Sequence, residues 1–319
     1  RKMKFFLKIV LLVFFVLNIN VSKANTLFDS LNSAYLNNPI LNAERASMRA
    51  SKEEKRESVS EFLPSVTISG YISEQDNTGG VNHSNFKPSE QSVEVEQKIF
   101  QGGGGIAKFK KKKHGQSIGE YKLKKTEQEI LLDAAKAHTA LLLSRKKLNI
   151  NLINVDLLER QVETDQNRLE KGEISLTDLA QSEASLAGAM AQLIAARNDL
   201  VTSRANFEKV IGQKPTENIQ ETKTANINLP ESLAKAYNIS NSENPDLQIS
   251  LLEFEQAKLD VVIAGSDLSP SATLSYKIAE QDNISATVKD RTQQTVTATA
   301  SWPLFAGDKN AFNYRKHQE

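Results

Sequence analysis

The 319-residue chain has no cysteine, a single tryptophan and only 6% aromatic residues. Without cysteine it can form neither disulfides nor thiolate metal sites, and no lipid can be attached to an N-terminal thiol. The four histidines, His83, His114, His138 and His317, lack ligand spacing with one another, so neither a metal nor another cofactor is expected. A mean hydropathy of −0.42 argues further against one large enzyme core. Long apolar runs are also missing. The best, Ile9–Ile19, follows Lys4 and Lys8 and precedes Ser22-Lys23-Ala24. That run is too short to span a bilayer, which takes about 20 residues. It fits a secretory signal peptide over residues 1–24, with the mature chain starting near Asn25 outside the cytoplasm. Arg1 and Lys2 precede Met3, the plausible initiator. Loss of the signal removes five basic residues and no acid, leaving 35 basic against 39 acidic, a balance that gives nucleic acid no purchase.

What the chain does have is a repeat. Glu-Gln-Asp-Asn occurs at Glu74–Asn77 and again at Glu280–Asn283. The match extends well beyond it: LNSAYLNNPIL (Leu31–Leu41) corresponds to LAKAYNISNSENPDL (Leu233–Leu247), Pro64 to Pro270, and VEVEQKIFQGG (Val93–Gly103) to ATASWPLFAGD (Ala298–Asp308). Each copy reads helix, proline, strand, polar loop, strand, glycine turn. The strands alternate, with Val66, Ile68 and Ile72 against Thr67, Ser69 and Ser73, and Val93, Val95 and Ile99 against Glu94, Glu96 and Lys98. In the second copy Ala272, Leu274, Tyr276 and Ile278 are followed by Ala298, Ala300, Trp302 and Leu304. Such segments suit a transmembrane barrel, lipid outside and water inside, although a sheet on a soluble core alternates in the same way.

Between the copies, Ile106–Gly212 contains no proline. A seven-residue repeat runs through Ala134, Leu141, Leu148, Val155, Val162 and Leu169, and restarts after Gly172 as Leu179, Leu186, Leu193, Leu200 and Phe207. Ser182, Ala189, Ala196 and Ser203 follow at the second position, where small side chains allow close helix approach. A helix of some sixty residues measures about 95 Å, of no use to a compact domain. A second stripe, Leu131, Leu142, Ile153 and Leu157, suits a stave with neighbours on both sides. In the turn RLEKGEISLTD, Gly172 supplies a positive φ, and Ser175 or Thr177 caps the next helix.

Together these parts resemble the TolC family of outer-membrane efflux proteins, most specifically in WPLFAGD (Trp302–Asp308) and its partner KIFQGG, in Leu63-Pro64 entering a strand, and in Arg168–Asp178 at the hairpin turn. The resemblance covers residues 26–319. It implies a mainly α fold with a transmembrane β-barrel part, internally duplicated, a long helical hairpin serving as a barrel stave. In such a homotrimer each protomer gives four strands to one twelve-stranded barrel in the outer membrane, continued by a helical tunnel into the periplasm of a Gram-negative bacterium. The implied partners are a periplasmic adaptor, an inner-membrane transporter and outer-membrane lipid, with no nucleic acid. Arg168, Lys171, Gly172 and Glu173 would meet the adaptor, and Asp178 would help hold the inner entrance closed. Pro64, Phe100, Gly102, Pro270, Trp302, Pro303, Phe305 and Gly307 would shape the strand turns.

The expected organisation is a first repeat over 25–225, with strands at about 65–75 and 91–100 and a hairpin at about 106–211, and a second over 226–319, with strands at about 271–280 and 294–304. The family's second unit ends in its own hairpin, so the repeat offset leads us to expect roughly 100 further residues and to read the chain as a fragment.

Other signals lead elsewhere. GQSIG (Gly115–Gly119) fits a nucleophile elbow only if a strand precedes it, and FKKKKH does not read as one. Gly102–Gly105 lacks the lysine of a phosphate loop and reads as a turn. Lys108 and Lys110–Lys113 read as a solvated helix start near headgroups. No enzyme activity is expected, export of small molecules or proteins is, and the alternative is a soluble periplasmic coiled-coil adaptor or scaffold.

Overall fold

The computed structural model describes residues 26–77, 84–221, 229–285, 288–304 and 309–318. The signal segment, Phe305 and Gly307 lie outside the described residues. The described residues form two compact units, one drawn from the stretches 26–43 and 126–229, the other from 44–125 and 230–318, so the second draws on both copies of the repeat.

The first unit holds α1 (Leu27–Asn37), the start of α2 (Pro39–Glu57), α3 (Gly104–Glu170) from Thr126 onward, and α4 (Leu176–Ile211). With no proline to interrupt its hydrogen-bond ladder, α3 runs for 67 residues. The heptad residues become the seam between α3 and α4: Ala134, Leu141 and Val155 are buried on α3, and Leu179, Leu193, Leu200 and Phe207 on α4. Leu148, Leu158 and Leu186 pack around the cluster Val155–Ala189–Leu193. Each such aliphatic or aromatic side chain contributes about 1.5–3 kcal/mol when fully buried. Of the second stripe, Leu131 and Leu142 are half-buried, whereas Ile153 and Leu157 remain 60% and 64% exposed among the described residues.

Polar side chains close the seam's lower end. The last carbonyls of α4 have no partner in their own helix; Ser33 Oγ donates to Ile211 O at 3.1 Å and Asn38 Nδ2 to Val210 O at 3.0 Å. Gly212 then ends α4 in the left-handed conformation, φ 76°. His138 on α3 is fully buried, with Nδ1 2.9 Å from Ser30 Oγ and Nε2 3.4 Å from Gln220 O. Gln220 O can only accept, so Nε2 carries the proton and Nδ1 accepts from Ser30 in a neutral ring.

The second unit carries an antiparallel sheet of β1 (Ser65–Ile72), β4 (Ser89–Gln101), β5 (Ser271–Asp282) and β6 (Asp290–Ser301) in the order β1-β4-β5-β6. A small hairpin of β2 (Gln75–Asn77) and β3 (Ser84–Phe86) follows β1. Register lines up the alternation. Val66–Val95–Tyr276–Val296 and Ile68–Val93–Ile278–Gln294 run across one face, Thr67–Glu94–Lys277–Thr295 and Ser69–Ser92–Ala279–Gln293 across the other. On the apolar face Ile68, Ile72 and Val296 are 80%, 84% and 69% exposed. On the polar face Glu90 accepts from Lys277 Nζ at 2.7 Å and Gln281 Nε2 at 2.6 Å.

Three details differ from simple alternation. A bulge between Lys98 and Phe100 makes Ile99 an extra residue, so Phe100 rather than Ile99 falls in the row of Ala272 and Ala300. β6 ends at Ser301, before Trp302, Pro303 and Leu304, because Pro303 offers the ladder no N–H; the Trp302 indole donates instead to Leu268 O at 3.1 Å. The two copies of Glu-Gln-Asp-Asn also part ways. The first supplies β2, whereas the second ends β5 and places Asn283 at φ 52°.

The second unit also holds helices from the second copy of the repeat, α5 (Leu233–Glu243), α6 (Pro245–Ser266) and α7 (Lys309–Gln318). Asn38-Pro39 and Asn244-Pro245 open α2 and α6 alike, each Asn side chain accepting from a backbone N–H two residues on. GQSIG lies inside α3, not on a strand-to-helix turn. A Cβ on Gly119 would come within 3.0 Å of Ser51 on α2, and one on Gly115 within 3.4 Å of Gln256 on α6, so both glycines serve helix packing. The lysine run is largely neutralised: Lys108 pairs with Glu61, Lys111 with Asp260 and Lys112 with Glu54, around a cleft of about 410 Å³.

Two measurements test this packing. At Gly102 φ is +58° and a Cβ would sit 2.5 Å from that of Ser269, whereas Gly103, at φ +82°, has nothing within 4 Å. Gly103→Ala therefore incurs only the left-handed cost of about 1–2 kcal/mol, and Gly102→Ala should lower the thermal unfolding midpoint further; equal losses would mean that Ser269 yields freely. Burial holds the His138 imidazole below its ordinary value against a smaller opposing pull from Gln220 O. The unfolded chain then takes up a proton first as pH falls, so stability is complete above about 6.5 and declines below it. His138→Gln should flatten that decline in urea titrations at pH 7.5 and 5.5; an unchanged slope would clear His138.

Candidate functional site

The hairpin tip is built from two opposed helix ends. α3 stops where Gly172 takes φ 76°, its N–H reaching Leu169 O and that of Glu173 reaching Arg168 O, both at 2.9 Å. That pair satisfies carbonyls the helix leaves open, and glycine adopts the conformation without a Cβ penalty. Ser175, not Thr177, caps α4. Its hydroxyl accepts from Asp178 N at 3.2 Å, and Asp178 Oδ2 accepts in return from Ser175 N at 2.9 Å and Ser175 Oγ at 2.7 Å. Both returning bonds fall on the one oxygen, Oδ2. They hold the Asp178 carboxyl below its ordinary value, side chain first and backbone second, so the cap persists until pH falls through that lowered value.

Beneath the turn lies a charge that heptad counting passes over. Asp165 on α3 is only 6% exposed, in the seam three residues after Val162. Its Oδ2 accepts from Ser182 Oγ on α4 at 2.6 Å and from Gln161 Nε2 at 2.9 Å. Those two donors, and after them the nearby Arg168, hold its carboxyl below the usual value. Arg168 Nη1 lies 4.0 Å from Asp165 Oδ1, while Arg168 Nε donates to Glu173 Oε2 at 3.3 Å. The structure thus gathers Arg168, Gly172, Glu173 and Asp178 at one tip, with Lys171 exposed beside them. A charged residue at an expected seam position was the available signal for Asp165.

The remaining sequence candidates lie elsewhere, in the second unit. Pro64 and Pro270 precede β1 and β5, Phe100 and Gly102 lie at the end of β4, and Trp302 and Pro303 follow β6. Among the described residues no group of carboxylates and histidines could hold a metal ion, and no helix is long and apolar enough to cross a membrane. Ser175→Ala should remove about 1 kcal/mol of local stability. Amide exchange in 176–180 should accelerate while the seam below stays protected; unchanged exchange would show the cap to be idle.

Comparison with known proteins matches residues 30–213 to the family of outer membrane efflux proteins. The outer membrane efflux protein BepC of Brucella suis is 26% identical over 97% of this chain and 67% of its own length. Outer membrane protein TolC of Vibrio cholerae is 25% identical over 79% of this chain and 57% of its own. The chain thus spans between about half and two thirds of these relatives' lengths. The crystal structure of the Campylobacter jejuni CmeC outer membrane channel shares the fold with a TM-score of 0.80 at 15% identity, over 92% of this chain and 64% of that one. With the family match covering more than half of its residues, this chain belongs to the outer membrane efflux proteins, which are channels of the outer membrane reaching into the periplasm and not enzymes.

Proposed function

We propose that the chain is the protomer of a homotrimeric export channel, with its sheet in the outer membrane and its helices forming a periplasmic tunnel. The observation that carries this reading is the sheet itself, with uncovered apolar rows on one face, polar rows on the other, and open edges at β1 and β6. A bilayer leaves no backbone group to water, so the edges must pair. In the order β1-β4-β5-β6 the strands alternate in direction, and β6 of one copy can pair antiparallel with β1 of the next. Three copies close twelve strands, apolar outside and hydrated inside. The uncovered stripe at Ile153 and Leu157 suits the same neighbours.

The tip is then the partner end. Arg168, Lys171, Gly172 and Glu173 meet a periplasmic adaptor that couples the channel to an inner-membrane transporter, while Asp178, with Oδ2 held by the cap, offers Oδ1 to the entrance gate. The cargo is small molecules or proteins. A soluble adaptor or scaffold would share the heptads but would have no use for four strands with one apolar face uncovered.

The sole tryptophan makes the test direct, since Trp302 follows β6 and is 61% exposed. Reconstituted in vesicles of brominated phosphatidylcholine, the protein should lose most of its indole fluorescence; full fluorescence, with release of the protein by osmotic shock, would exclude the membrane channel. A photocrosslinker at Lys171 should capture an adaptor in cells; capture from a seam position but not from Lys171 would move docking away from the tip.

A further inference from the structure

We propose that Asp165 is a positioning residue for the hairpin tip, fixing the register of α3 against α4 through Ser182 and aiming Arg168 at the turn. Its use for docking rests on reading the tip as the adaptor surface; the relay itself does not.

The seam around it is otherwise apolar or small. Val162 and Leu169 flank Asp165 on α3, and Leu179 and Leu186 flank Ser182 on α4. A charge buried there is costly unless its oxygens are satisfied. Asp165 Oδ2 is satisfied by one donor from each helix, Gln161 and Ser182. That pairing is specific to one alignment. A slip of one heptad along α4 would set Asp165 either against Ala189, which has no hydroxyl, or against Ser175, whose hydroxyl already donates to Asp178 Oδ2, and leave the carboxylate without its cross-helix donor. Leucine contacts tolerate such a slip, because neighbouring heptads look alike; a single polar pair does not.

The same carboxylate also faces the turn. Arg168 stands between Asp165 Oδ1 and Glu173 Oε2, so its fork is drawn toward the seam on one side and the loop on the other. Glu173 is also the residue whose N–H closes the end of α3 on Arg168 O. Ser182, Asp165, Arg168 and Glu173 therefore link the buried seam to the exposed turn in four residues. Without the charge on Asp165, Arg168 keeps Glu173 but loses its tether, and the turn is freed to move with the arginine.

Because the full chain lacks cysteine, a nitroxide at Lys171→Cys reports the turn alone. In this background Asp165→Asn should remove the slow component of the label's spectrum. Ser182→Ala, a milder change that keeps the seam's volume, should do so in part. Arg168→Gln should mimic Asp165→Asn, and the double variant should add nothing to the larger single effect. Leu200→Ala serves as a comparison, since it weakens the same seam without touching the relay. Label motion unchanged by Asp165→Asn, or raised no more than by Leu200→Ala at matched thermal stability, would overturn the proposal. So would additive effects of Asp165→Asn and Arg168→Gln. No adaptor enters this experiment, so its failure removes the relay and leaves docking to the Lys171 crosslink; failed crosslinking with a mobilised label leaves the relay and removes its use.

Discussion

The sheet has two open edges and an apolar face that nothing among the described residues covers, and the rest of the structure depends on that constraint. Strand edges exposed in water invite uncontrolled pairing; in hydrocarbon every unpaired N–H and C=O costs several kcal/mol. In the proposed trimer, closure with further copies would remove both problems. It also accounts for the polarity pattern, since a closed sheet gives the apolar rows of Val66, Val95, Tyr276 and Val296 to lipid and the Glu94–Lys277 row to water. The long helices share the requirement, because Ile153 and Leu157 need a cover that α4 does not give.

In the first unit specificity comes from small buried polar contacts. Ser144 and Ser203 meet at 2.7 Å across the seam, Ser30 meets His138, and Ser33 and Asn38 close the carbonyl end of α4. Each contributes about 0.5–1.5 kcal/mol net, and leaving one partner unmet costs more than the bond yields. A heptad seam of leucines would hold the helices together in several alignments; these contacts leave one.

Periodic features were legible in the sequence because they are local. The heptads, the Gly172 turn and the alternating strands repeat at intervals that a single helix or strand imposes on itself. What escaped depends on partners distant in sequence. The lysine run reads in the sequence as a solvated helix start, yet Lys111 finds Asp260 and Lys112 finds Glu54, 149 and 58 positions away. GQSIG is set aside as a nucleophile elbow on its sequence context, but what its glycines serve shows only in Ser51 and Gln256 beside them. Ser175 and Thr177 were equal candidates to cap α4 until the backbone chose Ser175. At Asp165 the pattern did hold a sign, a charge in a seam, but only Ser182 turns it into a contact.

The duplicated unit shows which residues backbone geometry alone enforces. Asn-Pro recurs because an extended cap and a proline at the first helical turn start α2 and α6 in the same way, whatever those helices pack against. Pro64 and Pro270 recur before β1 and β5, where the ladder asks nothing of their missing N–H. Glu-Gln-Asp-Asn is the counterexample, because its four letters are unchanged while the backbone differs, a short hairpin in one copy and a strand end with a left-handed Asn283 in the other. Polar side chains beyond the apolar rows fit either conformation, so identity there carries no structural demand. The proline positions hold one conformation each, and for that reason they are the better markers of the repeat.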